Sequence, residues 1–374
     1  MTDKNNDNTT EECDKFVIPH KIPRRISKQI MIGDIPVGGG APISVQTMTK
    51  TKTADVEATV NQIARCKDKG VDIVRMTIND KYASAAVAEI VKRSAVPLVA
   101  DIHFNHIFAI QAIEAGIAKV RINPGNIGSK DRIQQVLAKA KERNTPIRIG
   151  INSGSLERDI LEKYGTPTAE ALFESAMRHV NIARDFGFEN MAVSVKSTSV
   201  PLTIEAYRLI AAETDLPLHL GVTEAGTIKG GTIKSAVGIG TLLAEGIGDT
   251  IRVSLTDEPE TEVELGRDIL RSLHLAQRGL EIISCPTCGR LDVDMFSIMN
   301  QLEEKLKDVT KNVSVAVLGC AVNGPGEAKD ADIGVACAKG EGTLFRKGKK
   351  IRVIKEADII NEVYREVMEF EPGK

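Results

Sequence analysis

The chain has 374 residues, a formal net charge of −2, 42% hydrophobic residues and 3% aromatic residues with no Trp. That length accommodates more than one domain, each with an ordinary apolar core. The near-neutral charge excludes a bulk basic field for nucleic acid, the scarcity of rings excludes a base-stacking platform, and no apolar run reaches bilayer-spanning length.

Residues 1–24 open with MTDKNNDNTTEECDKF, a polar stretch without an apolar signal core, and read as a disordered tail. The expected location is therefore the cytoplasm, where the six cysteines are thiols or ligands rather than disulfides. The next segment, QIMIGDIPVGGGAPISV, is β-rich. Its Gly38-Gly39-Gly40 lacks the strand–glycine–helix context and the Lys-Ser/Thr of a phosphate loop, and reads as a plain turn.

From residue 43 onward a rhythm sets in: a short β-branched apolar run, a polar loop, an amphipathic segment. The runs are Ile43–Thr47, Val71–Thr77, Pro97–Ile102, Ala118–Ile122, Pro146–Ile151, Asn190–Val195, Leu216–Gly221 and Asp249–Ser254. Among the segments between them, Asp55–Lys69 turns Val56, Val60 and Ile63 to one face and ends at Gly70, and Asn105–Ala115 begins on a capping Asn and stops at Gly116. Eight such units predict a (β/α)8 TIM barrel over residues 25–279 rather than an open sheet. Residues 280–374 change pattern. A strand (Leu280–Ser284), a CxxC turn, a helix near Asp292–Lys307, strands Val313–Leu318 and Ile333–Ala336, a hairpin through Gly340–Gly348 to Ile354, and a helix near Glu356–Glu369 predict a smaller α+β domain.

Barrel chemistry sits at the C-terminal ends of the strands. The second run ends near Arg75, the fourth near Arg121, the fifth carries Arg148 then Asn152, the sixth leads to Lys196, and the eighth carries Arg252 and Ser254. One strand-end Arg is commonly a structural ion pair. Five cations around one mouth repel one another unless a polyanion such as a diphosphate joins them. The Asn123–Ser129 loop adds candidate backbone donors for the same anion. Asp101, His103, His219 and Glu224 lie at the same strand ends. A divalent metal there is disfavoured by the cations, so Glu224 and the Asp101/His103 pair are expected to handle protons or substrate hydroxyls. The remaining histidines read as surface or packing residues.

Cys285-Pro-Thr-Cys288 and Cys320 form a three-thiol set, followed by Glu327. Soft thiolates at this spacing suit an iron–sulfur cluster or zinc. Cys337 is the spare thiol that an all-cysteine zinc site would recruit, but Cys320 and Cys337 do not repeat the short CxxC of a zinc ribbon, which favours iron–sulfur. Cys66 reads as a small core residue and Cys13 lies in the tail. The helix after the eighth run, near Glu260–Gln277, covers roughly 27 Å at about 1.5 Å per residue and runs back from the mouth. The thiol domain then begins at the opposite face, and a two-fold homodimer in which each thiol domain covers its partner's barrel solves the separation.

The segments SVQTMTKT, VRMT, ADIHFN, RINPGNIG, RIGINSGS, VSVKST, HLGVTEAG, CPTCGR and GCAVNGPGE together closely resemble the bacterial 4-hydroxy-3-methylbut-2-enyl diphosphate synthases of the non-mevalonate isoprenoid pathway, from about Arg24 to the C-terminus. The resemblance implies reductive ring opening of 2-C-methyl-D-erythritol 2,4-cyclodiphosphate with two electrons and loss of water. It implies a homodimer and a flavodoxin or ferredoxin donor. It implies a [4Fe-4S] cluster on Cys285, Cys288 and Cys320 with Glu327 as fourth ligand. It assigns the diphosphate to Arg75, Arg121, Arg148, Asn152, Lys196 and Arg252, acid–base work to Glu224, and closure over substrate to Asn323. The alternatives are a metal-dependent hydrolase or aldolase barrel with a structural zinc ribbon, and a non-catalytic iron–sulfur sensor that binds a diphosphate.

Overall fold

The structure, a computed structural model, describes residues 22–371 apart from 124–126, 129, 276–278 and 310. Cys13 and His20, most of the expected tail, part of the Asn123–Ser129 loop and the end of the expected Glu260–Gln277 helix lie outside the described residues. The chain divides into two compact units, the first reaching Gly266 and the second starting at Arg267.

The first unit is a TIM barrel. A hairpin of β1 (Ile30–Ile32) and β2 (Ile35–Val37) precedes it. Ile30, Ile32 and Val37 pack against Ile73, Val99 and Ala192, early inward positions of barrel strands, so the hairpin plugs the N-terminal end. Gly38, Gly39 and Gly40 all take positive φ in the turn that follows. The barrel strands are β3 (Ser44–Met48), β4 (Ile73–Thr77), β5 (Leu98–Ile102), β6 (Lys119–Ile122), β7 (Ile147–Asn152), β8 (Met191–Lys196), β9 (His219–Leu220) and β10 (Thr250–Ile251). They are parallel in the order β8-β7-β6-β5-β4-β3-β10-β9, and a bridge from Val193 to Leu218 brings the two ends of that order together. Each of the eight apolar runs carries one of these strands.

Helices alternate with the strands on the outside. Asp55 caps Val56–Asp68 by accepting from Ala58 N, and Asn105 caps His106–Glu114 by accepting from Ile107 N. The buried face of the first of these helices is Thr59, Gln62, Ile63 and Cys66, whereas Val56 and Val60 are half-buried. Polar contacts shift the face: Gln62 Oε1 accepts from Lys50 N at 2.8 Å, and the Thr59 and Thr51 hydroxyls meet at 2.8 Å, tying the helix to the loop after β3. Cys66 is buried as expected.

The second unit has its own sheet, β11 (Leu280–Ser284), β12 (Val313–Leu318), β13 (Ile333–Ala338), β14 (Glu341–Arg346) and β15 (Lys349–Lys355). The first three strands are parallel and the last two add as antiparallel hairpins. Helices Met295–Leu306 and Ile359–Glu369 cover one face, where Ile298, Leu302, Val363 and Val367 pack on Val315, Val335 and Cys337. The Cys320–Glu327 loop holds a short helix, Gly324–Glu327, that apolar periodicity could not signal. No helix among the described residues is long and apolar enough to cross a membrane.

Candidate active site

Alternation along the barrel strands turns Arg75, Asp101, Arg121, Arg148, Lys196, His219 and Arg252 to the interior. Arg75, Arg121, Arg148 and Lys196 are buried, and the Arg252 side chain is 14% exposed. The five expected cations therefore converge, and the environment of Lys196 registers Arg148, Arg75, Arg252 and Arg121 together. Two carboxylates offset part of this charge. Asp101 Oδ1 accepts from Arg121 Nη1 at 3.0 Å, and its Oδ2 lies 3.7 Å from Arg75 Nε. Glu262, on the helix after β10, accepts from Arg252 Nη2 at 3.1 Å and from Thr47 Oγ1 at 2.7 Å. Arg148 and Lys196 have no ion pair among the described residues, and Arg148 leaves Nε and Nη1 without a partner.

Burial of Asp101 would raise its pKa, but the pull of Arg75, Arg121, His103 and Arg148 outweighs it and holds the carboxyl well below the usual range. Read from sequence as a group for protons or hydroxyls, Asp101 is in the structure the shared counter-ion of two arginines. Burial pushes the Lys196 ammonium well down, and the four neighbouring arginines push it further. His219 is pushed down by burial, then by Arg148, Lys196, Lys119 and Arg75, and is a neutral imidazole at pH 7. His103 is half-buried, 3.8 Å from Asp101 Oδ2 and 3.4 Å from Arg121 Nη1, and burial lowers its pKa. Gly150, inward-facing on β7, makes the Arg121 position possible: a Cβ there would stand 2.5 Å from Arg121 Nε, while the Gly150 carbonyl accepts from Arg121 Nη2 at 3.2 Å.

The other expected residues frame this interior. Asn152 ends β7 in register with Lys196. Asn123 is buried and donates to Ser155 Oγ at 2.8 Å, and the Ser254 hydroxyl accepts from Arg252. Glu224 is exposed on the loop after β9 with φ 50°, a left-handed backbone uncommon for a residue other than Gly, Asn or Asp.

In the second unit the thiols sit just past the C-terminal ends of neighbouring parallel strands, Cys285 after β11 and Cys320 two residues after β12. Gly319 N donates to Cys285 Sγ at 3.3 Å. A Cβ on Gly319 would collide with Leu291 and crowd Cys285 Sγ at 3.2 Å, so only glycine lets the strand end approach the thiol. Backbone N–H donors lower the Cys288 thiol, at Arg290, and the Cys320 thiol, at Asn323 and Val322. Cys288 and Cys320 feel one another electrostatically. Asn323 and Glu327 are exposed on and beside the short helix. Among the described residues no three His, Cys, Asp or Glu side chains close into a metal-holding group. The chemistry of the donors nevertheless fits an iron–sulfur centre: three soft thiols at one sheet end, with N–H donors aimed at sulfur. Cys337 is buried in the core on β13, and burial, with Glu356 and Cys285 nearby, pushes its thiol up to about 12.

Each unit matches a protein-family model. The GcpE TIM-barrel domain matches residues 27–267, and the GcpE protein C-terminal domain matches residues 281–369. The chain belongs to the GcpE family. Among curated GcpE relatives, the protein of Ruminiclostridium cellulolyticum is 53% identical over 93% of this chain and 99% of its own length. That of Clostridium perfringens is 52% identical over 91% and 98%, and that of Geobacter sulfurreducens 49% over 91% and 97%. All three are named 4-hydroxy-3-methylbut-2-en-1-yl diphosphate synthase (flavodoxin).

Sequence reading missed two parts of this GcpE barrel. Lys119 is fully buried at the start of β6, two residues before Arg121 and on the same face. That i, i+2 relation is the signal that finds it. Glu262 bears no such mark, because an acidic residue in the first turn of a helix is ordinary.

Proposed function

We propose that this chain opens the ring of 2-C-methyl-D-erythritol 2,4-cyclodiphosphate reductively, giving 4-hydroxy-3-methylbut-2-enyl diphosphate in isoprenoid precursor synthesis. Two electrons and two protons enter, the bond between carbon and a diphosphate oxygen breaks, and a hydroxyl leaves as water. The observation that carries this reading is the excess of buried positive charge in the barrel, where among the described residues Arg75, Arg121, Arg148, Lys196 and Arg252 pair only with the carboxylates of Asp101 and Glu262. A diphosphate supplies the missing negative charge, and the arginines grip it through paired hydrogen bonds. Asp101 and Glu262 hold Arg121 and Arg252 in place before it arrives. When the ring opens, charge grows on the departing oxygen, and these preset donors stabilise it. Asn152 contributes a neutral donor at the rim. Glu224, on its left-handed backbone, moves the proton needed for loss of water.

Cys285, Cys288 and Cys320 would hold a [4Fe-4S] cluster, with Glu327 as the fourth ligand. Such a cluster supplies electrons one at a time, from flavodoxin, which the relatives' names specify, or from ferredoxin. Asn323, beside Cys320, helps to close over substrate. The enzyme works in the cytoplasm as a homodimer. In that dimer the thiol-bearing unit of one subunit serves the barrel of its partner.

Anaerobic protein given the cyclic diphosphate and a reduced one-electron donor should turn it over. Brown, iron-loaded protein that shows no turnover would sink the reading. Mixing an Arg148→Met variant with a Cys320→Ala variant should restore part of the activity in mixed dimers; no recovery would count against a shared site. Gly150→Ala should displace Arg121 and raise KM for the cyclic diphosphate about tenfold or more, the scale of one charge-assisted contact. An unchanged KM would remove Arg121 from the binding set.

A further inference from the structure

Below the ring of strand-end cations lies a second polar layer. Lys119 begins β6, and its register partner Val99 packs on the hairpin that plugs the barrel, so Lys119 sits deeper than Arg121. Its side chain is 1% exposed, yet no carboxylate pairs with it among the described residues. The charged and titratable groups that face it are Arg75 of β4, Arg148 of β7 and His219 of β9. Asp101 is already engaged by Arg121 and Arg75, and Glu262 by Arg252. Gln46 of β3 is equally buried and leaves both amide atoms without a partner, and His219 leaves both ring nitrogens without one.

Buried polar groups are almost always hydrogen-bonded, and buried charges paired. Here a lysine, an arginine, an amide and a neutral imidazole lie buried on the inward faces of β6, β7, β3 and β9, and Gln46, His219 and two nitrogens of Arg148 have no partner among the described residues. Water could take the hydrogen bonds but would leave the positive charge uncancelled. An oxyanion does both.

We propose that Lys119, with Gln46 and His219, forms the floor of the diphosphate site and holds the phosphoryl group that lies deepest in the barrel. This rests on the reading of the barrel as a diphosphate site. The strand-end arginines grip the anion from the mouth, while Lys119 neutralises it from below and sets how deep it sits. That depth fixes the position of the carbon–oxygen bond that breaks.

The test is calorimetric titration of full-length wild type and Lys119→Met with inorganic pyrophosphate, alongside melting of each without ligand. Lys119→Met, which keeps the bulk and removes the charge, should melt no lower than wild type. It should bind pyrophosphate about ten- to a hundredfold more weakly, and KM for the cyclic diphosphate should rise more than kcat falls. A purely structural lysine would instead lower the melting temperature and leave affinity unchanged, and that result overturns the proposal. If Lys119→Met does not fold, Lys119→Gln is titrated in its place and the same outcomes decide. Orthophosphate that binds alongside pyrophosphate without competing would assign the floor to a separate ion and also overturn it. Wild type that fails to bind pyrophosphate overturns the barrel reading and this inference with it, whereas normal binding by wild type and variant alike overturns this inference alone.

Discussion

Arg148→Met is expected to make the ligand-free protein melt higher while lowering turnover by about 10²- to 10³-fold. The two effects have one cause. Arg148 is among the most buried side chains in the barrel, with Nε and Nη1 unpartnered, and its electrostatic neighbours begin with Arg75 and Arg121. An uncompensated buried charge costs several kcal/mol of solvation, and apolar replacements of buried charges commonly stabilise by about 1–4 kcal/mol. Methionine fills similar volume without charge. In a unit of this size, each kcal/mol corresponds to roughly 2–4 °C of melting temperature. On the proposed reading, the same substitution removes a preset donor for the diphosphate. A thermal melt of the apo-protein and steady-state kinetics check both halves; a lower melting temperature with activity retained would mean that Arg148 is a structural residue.

The barrel was legible because its strands are short β-branched runs between polar loops, and eight of them in regular order leave few alternatives. The strand-end cations were legible for the same reason: once Ile73–Thr77 and Lys119–Ile122 are strands, Arg75 and Arg121 fall where barrel chemistry occurs. The partners of those cations were less visible. Asp101 was seen, but its place between Arg75 and Arg121 depends on the register of three strands. Glu262 reaches Arg252 from the following helix, a contact that no local pattern announces. Lys119 was hidden because a lysine at a strand start reads as solvent-facing, and only alternation with Arg121 points it inward. In the Val56–Asp68 helix the apolar stripe misplaced the buried face, since Thr59 and Gln62 are buried for their hydrogen bonds rather than their hydrophobicity. The thiol-bearing sheet end followed from strand order, but the short helix carrying Glu327 did not, because glycine and proline in NGPGE carry no periodicity.

Cys320→Ala and Cys337→Ala should behave in opposite ways. Cys320 is half-buried just past the C-terminal end of β12, with backbone N–H groups donating to its sulfur. If Cys320 holds the proposed cluster, removing it deletes an attachment and little packing, so the variant should be colourless or pale, low in iron and inactive, with an apo melting temperature near that of wild type. Cys337 lies in the core of the same unit against strand and helix residues, and burial pushes its thiol up to about 12, which disfavours the thiolate that a metal requires. Cys337→Ala should therefore keep its iron and its turnover while losing about 1 kcal/mol of stability to the small cavity left behind. Glu327→Ala tests the remaining position. A hard carboxylate is a weakly matched ligand for a soft cluster, so three thiolates should still load iron, but the cluster should be lost faster to a chelator, and turnover should fall by about 10²-fold as the fourth position is left unguarded. Iron content, release kinetics and melting temperature, measured anaerobically on all three variants, separate the roles. Loss of iron in Cys337→Ala with retention in Cys320→Ala would move the ligand set into the core, and normal cluster retention and turnover in Glu327→Ala would remove the carboxylate from it.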